Sequence, residues 1–164
     1  MTSEVVAEDG GFVNPAGRDQ LLRTDPAVFG EFPGALGITT TELGDRHGCF
    51  ELTVRPEFRS HFGIQHGGVV AALIDHSLGS VLLPHVEPGT WPATLEFKMN
   101  FLAPVREGVV RATATILARR RSVAVVRIDV ENAGRAVAAA QGTVSFQSAR
   151  GSSHSGVGGP GATP

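Results

Sequence analysis

Two features in one short stretch of the chain could do chemistry together. Ser60-His61-Phe62-Gly63-Ile64-Gln65-His66-Gly67-Gly68 leads into Val69-Val70-Ala71-Ala72-Leu73-Ile74-Asp75. His66-Gly67-Gly68 falls where an unbroken apolar segment begins, and the first amides of a helix have no partner inside it. Glycine lets another group come close to those amides, and the helix dipole favours negative charge there. Aimed at a carbonyl oxygen, they would form an oxyanion hole. Asp75 is the second feature. It is the only acid between Glu57 and Glu87, and no Lys or Arg lies between Arg59 and Lys98. Its neighbours on a helix face are Ala71, Ala72, Leu78 and Gly79, mostly small, which leaves room beside the carboxylate. Such an acid can serve as a general base or a nucleophile. The plainer alternative has Asp75 hydrogen-bonded to a backbone group and His66 capping the helix.

The spacing adds a constraint. Asp75 stands eight residues beyond Gly67, about 12 Å along a helix. One carbonyl group cannot touch both the Gly67 amide and the Asp75 carboxylate of one chain. If both act on one substrate, two chains supply them, and the site lies at a two-fold interface.

The elements that must position these groups show in the hydrophobic pattern. Apolar and polar residues alternate over Gly48–Val54 (Phe50, Leu52, Val54), Ala93–Leu102 (Leu95, Phe97, Met99, Phe101) and Ser122–Glu131 (Ala124, Val126, Ile128, Val130), as in half-buried strands. Weaker strand patterns run over 36–43, 108–118 and 135–146. Short turns at Gly44–Asp45, Arg106–Gly108 and Asn132–Gly134 separate them, which points to an antiparallel sheet. Gly67–Leu83 breaks the rhythm: it is apolar nearly all round and reads as a helix buried on most sides. Residues 18–30 read as a shorter helix ended by Pro33 and Gly34. A single sheet curled round one central helix buries that helix most simply, so the fold class is α+β.

The chain of 164 residues suffices for one domain. Residues 1–17 read as a flexible lead-in and 18–147 as the folded domain. Residues 148–164, almost wholly Ser, Gly, Ala, Pro and Thr, read as a disordered tail. With 41% hydrophobic and 18% charged residues the chain is neither a disordered polyelectrolyte nor a coiled coil. A net charge of −2 gives no electrostatic footing for nucleic acid. One cysteine, Cys49, excludes an internal disulfide and any multi-cysteine metal site. No metal-ligand spacing links the histidines, and neither metal nor cofactor is expected. Glu4, Glu8 and Asp9 precede any apolar run, so no secretory signal is read. The apolar run near 69–83, interrupted by Asp75, His76 and two serines, is read as too short for a bilayer. A soluble cytoplasmic protein without a membrane partner is expected.

His66-Gly67-Gly68 with Asp75 nine residues after the histidine, followed by Asn100-Phe101-Leu102-Ala103-Pro104, resembles the hotdog-fold acyl-CoA thioesterases of the phenylacetate-pathway (PaaI) type. The similarity spans roughly 35–146. It implies an antiparallel sheet wrapped round a central helix, with subunits paired as a homodimer at minimum and commonly as a homotetramer. It also implies hydrolysis of acyl-CoA by Asp75 as nucleophile or general base, with the Gly67 amide polarising the thioester carbonyl. Thr94 then helps hold the attacking water. Ser60 stands where the family usually has Asn or Gln, with His61 beside it as a substitute. His66 and Gly68 complete the motif, and Arg119-Arg120-Arg121, at a hairpin tip, could hold coenzyme A phosphates. Two other readings use the same fold. His61-Phe62 ahead of Asp75 resembles the spacing of β-hydroxyacyl dehydratases and enoyl hydratases, in which a His is the base. A non-catalytic acyl-CoA binder would use the same pocket without needing Asp75.

Overall fold

The computed structural model describes residues 14–22 and 30–148. Most of the proposed lead-in and the tail beyond Ser148 lie outside these residues, as do 23–29 of the first expected helix. The order is α1 (Pro15–Leu21), α2 (Glu31–Leu36), β1 (Thr39–Leu43), β2 (His47–Thr53), α3 (Gly67–Ser80), β3 (Thr90–Phe101), β4 (Val109–Arg119), β5 (Val123–Asn132) and β6 (Arg135–Ser148). Short 3-10 turns occupy Pro56–Phe58 and Leu83–His85. The strands form one antiparallel sheet in the order β1-β2-β4-β5-β6-β3. The α3 crossover carries the chain from β2 to the far edge, and α3 packs against β2 through β6. This is the single sheet round one helix expected from the alternating segments, and the hotdog arrangement that the resemblance implies.

Three boundaries need correction. Residues 15–17 belong to α1 rather than the lead-in, and Ser148 is still strand, paired with Thr90. Pro33 and Gly34 lie inside α2 instead of ending a helix. Pro33 is in the first turn, where an N–H would have no helical acceptor in any case. Gly37, at φ 72°, ends α2: its N–H donates to the Gly34 carbonyl at 3.0 Å and the Ile38 N–H to the Pro33 carbonyl at 3.1 Å. The apolar run also needs correcting, because Gly67–His85 spans 19 residues at mean hydropathy 1.4 and would pass for a membrane span by length and composition. Packing explains those apolar residues. Val70, Leu73, Ile74 and Leu78 are buried under the sheet, each worth roughly 2 kcal/mol.

The β5 alternation holds throughout: Ala124, Val126, Ile128 and Val130 are all at most 1% exposed. In β3 it fails. The register against β6 shifts between Thr94 and Glu96, leaving Leu95 as the extra residue of a bulge and 63% exposed. Phe97 and Met99 still pack on the core, whereas Phe101 is mostly exposed. The bulge sits opposite Thr143 and Val144 of β6, next to Gly142, which pairs with Phe97. A Cβ at Gly142 would lie 2.7 Å from the Glu96 carbonyl oxygen, 2.8 Å from Phe97 Cβ and 2.9 Å from Leu78 Cδ1. Gly142→Ala is therefore expected to destabilise the fold by about 1–3 kcal/mol, read as a lower urea midpoint at unchanged m-value. An unchanged midpoint would show that β3 and α3 can move apart at no cost.

Candidate active site

Asp75 opens onto a cleft of about 1010 Å³ between α3 and β3. The walls follow from the local sequence. Along α3, Gly68, Ala71, Ala72 and Gly79 recur on one face and are too small to fill the space beside the carboxylate. Opposite them, Pro92, Thr94, Leu95, Glu96 and Phe97 present β3. The helix is thus less enclosed than its composition suggests: one face is core and the other borders open space. Asp75 is exposed there, and its carboxylate makes no hydrogen bond or ion pair with any described residue. The plainer alternative, a backbone partner for Asp75, is not what forms.

The helix start is built as a donor. His66 caps it: Nδ1 accepts from the Gly68 N–H at 2.9 Å, and its carbonyl accepts from the Val69 N–H at 3.0 Å. An Nδ1 acceptor fixes the imidazole as the Nε2–H tautomer when neutral. Among the described residues nothing accepts from the Gly67 N–H, which is left for an outside group. The two glycines also have packing reasons to lack side chains. A Cβ at Gly67 would meet the Phe101 ring at 2.8 Å, and one at Gly68 the His66 ring at 3.1 Å.

Of the residues singled out from sequence, the cleft gathers Asp75, Gly68 and Thr94. The others stand outside it. Ser60 shapes the preceding turn: its carbonyl accepts from the Gly63 N–H at 2.9 Å and its Oγ from the Phe62 N–H at 3.4 Å. His61 is exposed and lies on the Phe62 ring, centroids 3.8 Å apart. His66 and Gly67 do not line this cleft. Arg119 is a brace: its guanidinium donates to the His85 carbonyl and lies 5.9 Å from the Phe146 ring centroid. Arg120 and Arg121 are exposed at the β4–β5 turn and, like Arg119, do not line the cleft.

The cleft holds residues that sequence reasoning missed. Glu96 lines it, two residues beyond Thr94, with its Oε1 accepting from Thr143 Oγ1 at 2.6 Å. His76 and Ser80 also line it, with Nε2 and Oγ 3.2 Å apart, one helical turn from each other. That spacing was visible in the sequence, but without the cleft nothing distinguished it. Burial, partly opposed by the neighbouring Asp75 charge, lowers the His76 pKa from 6.5 to about 4. Cys49 is buried and desolvation raises its thiol pKa, which suits a structural side chain.

Known proteins share this architecture and sequence. The profile of the Thioesterase superfamily matches residues 62–139, the span that carries the helix start, Asp75 and Thr94. A Haemophilus influenzae protein provisionally named an esterase is 36% identical over 100 residues, covering 58% of this chain and 69% of that one. The crystal structure of the thioesterase HI1161 from Haemophilus influenzae superposes at TM-score 0.65, with 28% identity over 69% of this chain and 80% of that one. A variant of the phenylacetic acid degradation protein PaaI from Thermus thermophilus superposes at TM-score 0.61, with 29% identity over 70% and 96% of the two chains. The chain belongs to the thioesterase superfamily.

The neutral, buried state of His76 couples stability to pH. As pH falls below 6.5 the unfolded chain takes up a proton at this residue, while the folded chain resists until about 4. The unfolded state then binds more protons, so folding weakens across that window, by up to roughly 3 kcal/mol from this group. Urea midpoints measured from pH 7 down to pH 4 should show this fall in the wild type and a flatter profile in His76→Gln. Equal slopes in the two proteins would mean that His76 takes up its proton without resistance in the fold.

Proposed function

We propose that the protein hydrolyses acyl-CoA thioesters to a free acid and coenzyme A, with Asp75 as the reacting carboxylate. The observation that carries this reading is an acid set in an open cleft beside small residues, with no hydrogen bond or ion pair to any described residue. A water oxygen bonds to the thioester carbonyl carbon while Asp75 takes its proton. Alternatively, the carboxylate itself attacks and water then splits the mixed anhydride. In both routes the C–S bond breaks and the sulfur leaves as the thiol. The developing oxyanion is received by the Gly67 amide at the positive end of a helix. Thr94, across the cleft, is suited to hold the water.

The donor and the acid of one substrate come from two chains in this reading. Within one chain Gly67 is outside the Asp75 cleft, and the rise between them is about 12 Å. β3 is well suited to the pairing. It is a twelve-residue edge strand with Trp91, Leu95 and Phe101 exposed along it, and Leu102 just beyond is exposed as well. An edge this long and apolar favours a second copy. We therefore propose a homodimer with two equivalent sites, and a homotetramer as the larger assembly.

Asp75→Asn and Asp75→Ala should each lower acyl-CoA turnover at least ~10²-fold in free-thiol assays while the proteins stay folded. Near-native turnover in either would remove Asp75 from the chemistry. Mixing Asp75→Ala chains with Gly67→Pro chains, the latter also carrying Phe101→Ala to make room, tests the shared site. Each homodimer should be inactive, and heterodimers should regain about half the wild-type activity, because one site of the two receives both groups. Verified, folded heterodimers without activity would place both groups in one chain or deny Gly67 its donor role.

A further inference from the structure

The cleft has two chemically different ends. Around Asp75 and toward Gly68 it is lined by Ala71, Ala72 and Thr94. At the C-terminal end of α3 it is lined by Leu83, Pro92 and Leu21. Pro92 sets that level, since its Cβ lies 4.0 Å from where a Gly79 Cβ would stand. Leu21 belongs to α1, a helix outside the sheet, and is only 2% exposed. α1 is fastened at this end: the Asn14 N–H donates to the Pro84 carbonyl at 2.9 Å, in the 3-10 turn that also carries Leu83. The same turn is braced from the other side by Arg119, through the His85 carbonyl. The result is an end held between α1 and β4, where Leu21, Leu83 and Pro92 stand beside Gln20 and Ser80.

We infer that α1 is the end wall of the acyl channel and that Leu21 sets the length of acyl chain the enzyme accepts. This rests on the thioesterase reading. With the thioester carbonyl beside Asp75, the acyl group has two directions available: one passes Leu95, which is 63% exposed, and the other meets Leu21, which is 2% exposed and fixed in α1. Coenzyme A is polar and highly charged, and its burial at the Leu21 end would be costly. The acyl chain therefore runs from Asp75 past the end of α3 at Ser80, about 8 Å on by helical rise, toward Leu83 in the turn beyond. A straight, uncharged chain of middling length fills that distance. A longer one must bend back or push α1 away, and a shorter one leaves Leu21 and Leu83 uncontacted. Leu21 is a specificity residue in this scheme and takes no part in the chemical step.

The test is the acyl-length profile of the full chain, measured as kcat/KM on saturated acyl-CoAs from acetyl to palmitoyl. Leu21→Trp should move the optimum to shorter chains and lower the octanoyl-to-butyryl ratio at least ~10-fold, the scale of a lost methylene fit. Leu21→Ala should move it the other way and raise the myristoyl-to-octanoyl ratio by a similar factor. Leu21→Phe replaces Leu21→Trp if the larger ring prevents folding. Ratios are decisive, because a merely loosened fold lowers all substrates alike and leaves them unchanged. Unchanged ratios in folded variants of both sizes would overturn the end wall while leaving the thioesterase reading intact. If the wild type cleaves no acyl-CoA of any length, the thioesterase reading falls and the end wall falls with it.

Discussion

The missing side chain at Gly142 sets how close three elements can come. Leu78 of α3, Phe97 of β3 and the Glu96 carbonyl all press on the point where a Cβ would be. That contact draws the edge strand against β6 and seats the helix on the sheet. The cleft is the space left between α3 and β3 beyond that contact, so its width depends on it. The bulge at Leu95 lies directly beside it and turns Thr94 and Glu96 into the cleft wall. A bulge re-aims side chains where regular pairing would have alternated them. Packing and site are therefore one piece of geometry.

The helix divides its work between faces. Val70, Leu73, Ile74 and Leu78 supply hydrophobic burial, while Ala71, Ala72 and Gly79 leave a vacancy on the opposite side. Asp75 stands in that vacancy. An acid without an internal partner is tolerable here because it remains exposed, and tethering it by a hydrogen bond would lessen its availability as a base. At the helix start the opposite economy operates. His66 satisfies the Gly68 and Val69 amides and leaves Gly67 with no acceptor among the described residues. Capping, usually a matter of stability, here selects which amide stays available.

The segments outside the core sheet matter for the same reason. The 3-10 turn after α3 is held by Asn14 on one side and Arg119 on the other. This ties the far end of the cleft to two other elements and gives Arg119 a structural task. In the proposed reading the reacting groups and the far end of the cleft belong to different elements, so acyl length and chemistry can vary separately.

Much of this was legible without coordinates. Six strands, their antiparallel order in the β4–β6 meander and the lone central helix follow from period-two alternation and one stretch that lacks it, because burial on one face leaves a local signature. Asp75 and the His66-Gly67-Gly68 helix start were legible for a similar reason: an isolated acid among small residues and a glycine pair are features of neighbouring positions in one helix. What tertiary structure decided is whatever depends on contact between distant segments. The Leu95 bulge forms opposite Thr143 and Val144, far along the chain, and Glu96 meets the cleft because β3 is laid against α3. His76 and Ser80 became cleft residues only when β3 was laid opposite them. Leu21 reaches Leu83 through a backbone bond from Asn14 to Pro84, and Arg119 reaches His85 across thirty-four residues. No local periodicity encodes such meetings. They arise from the free energy of packing whole elements together, which the order of residues specifies only through the completed fold.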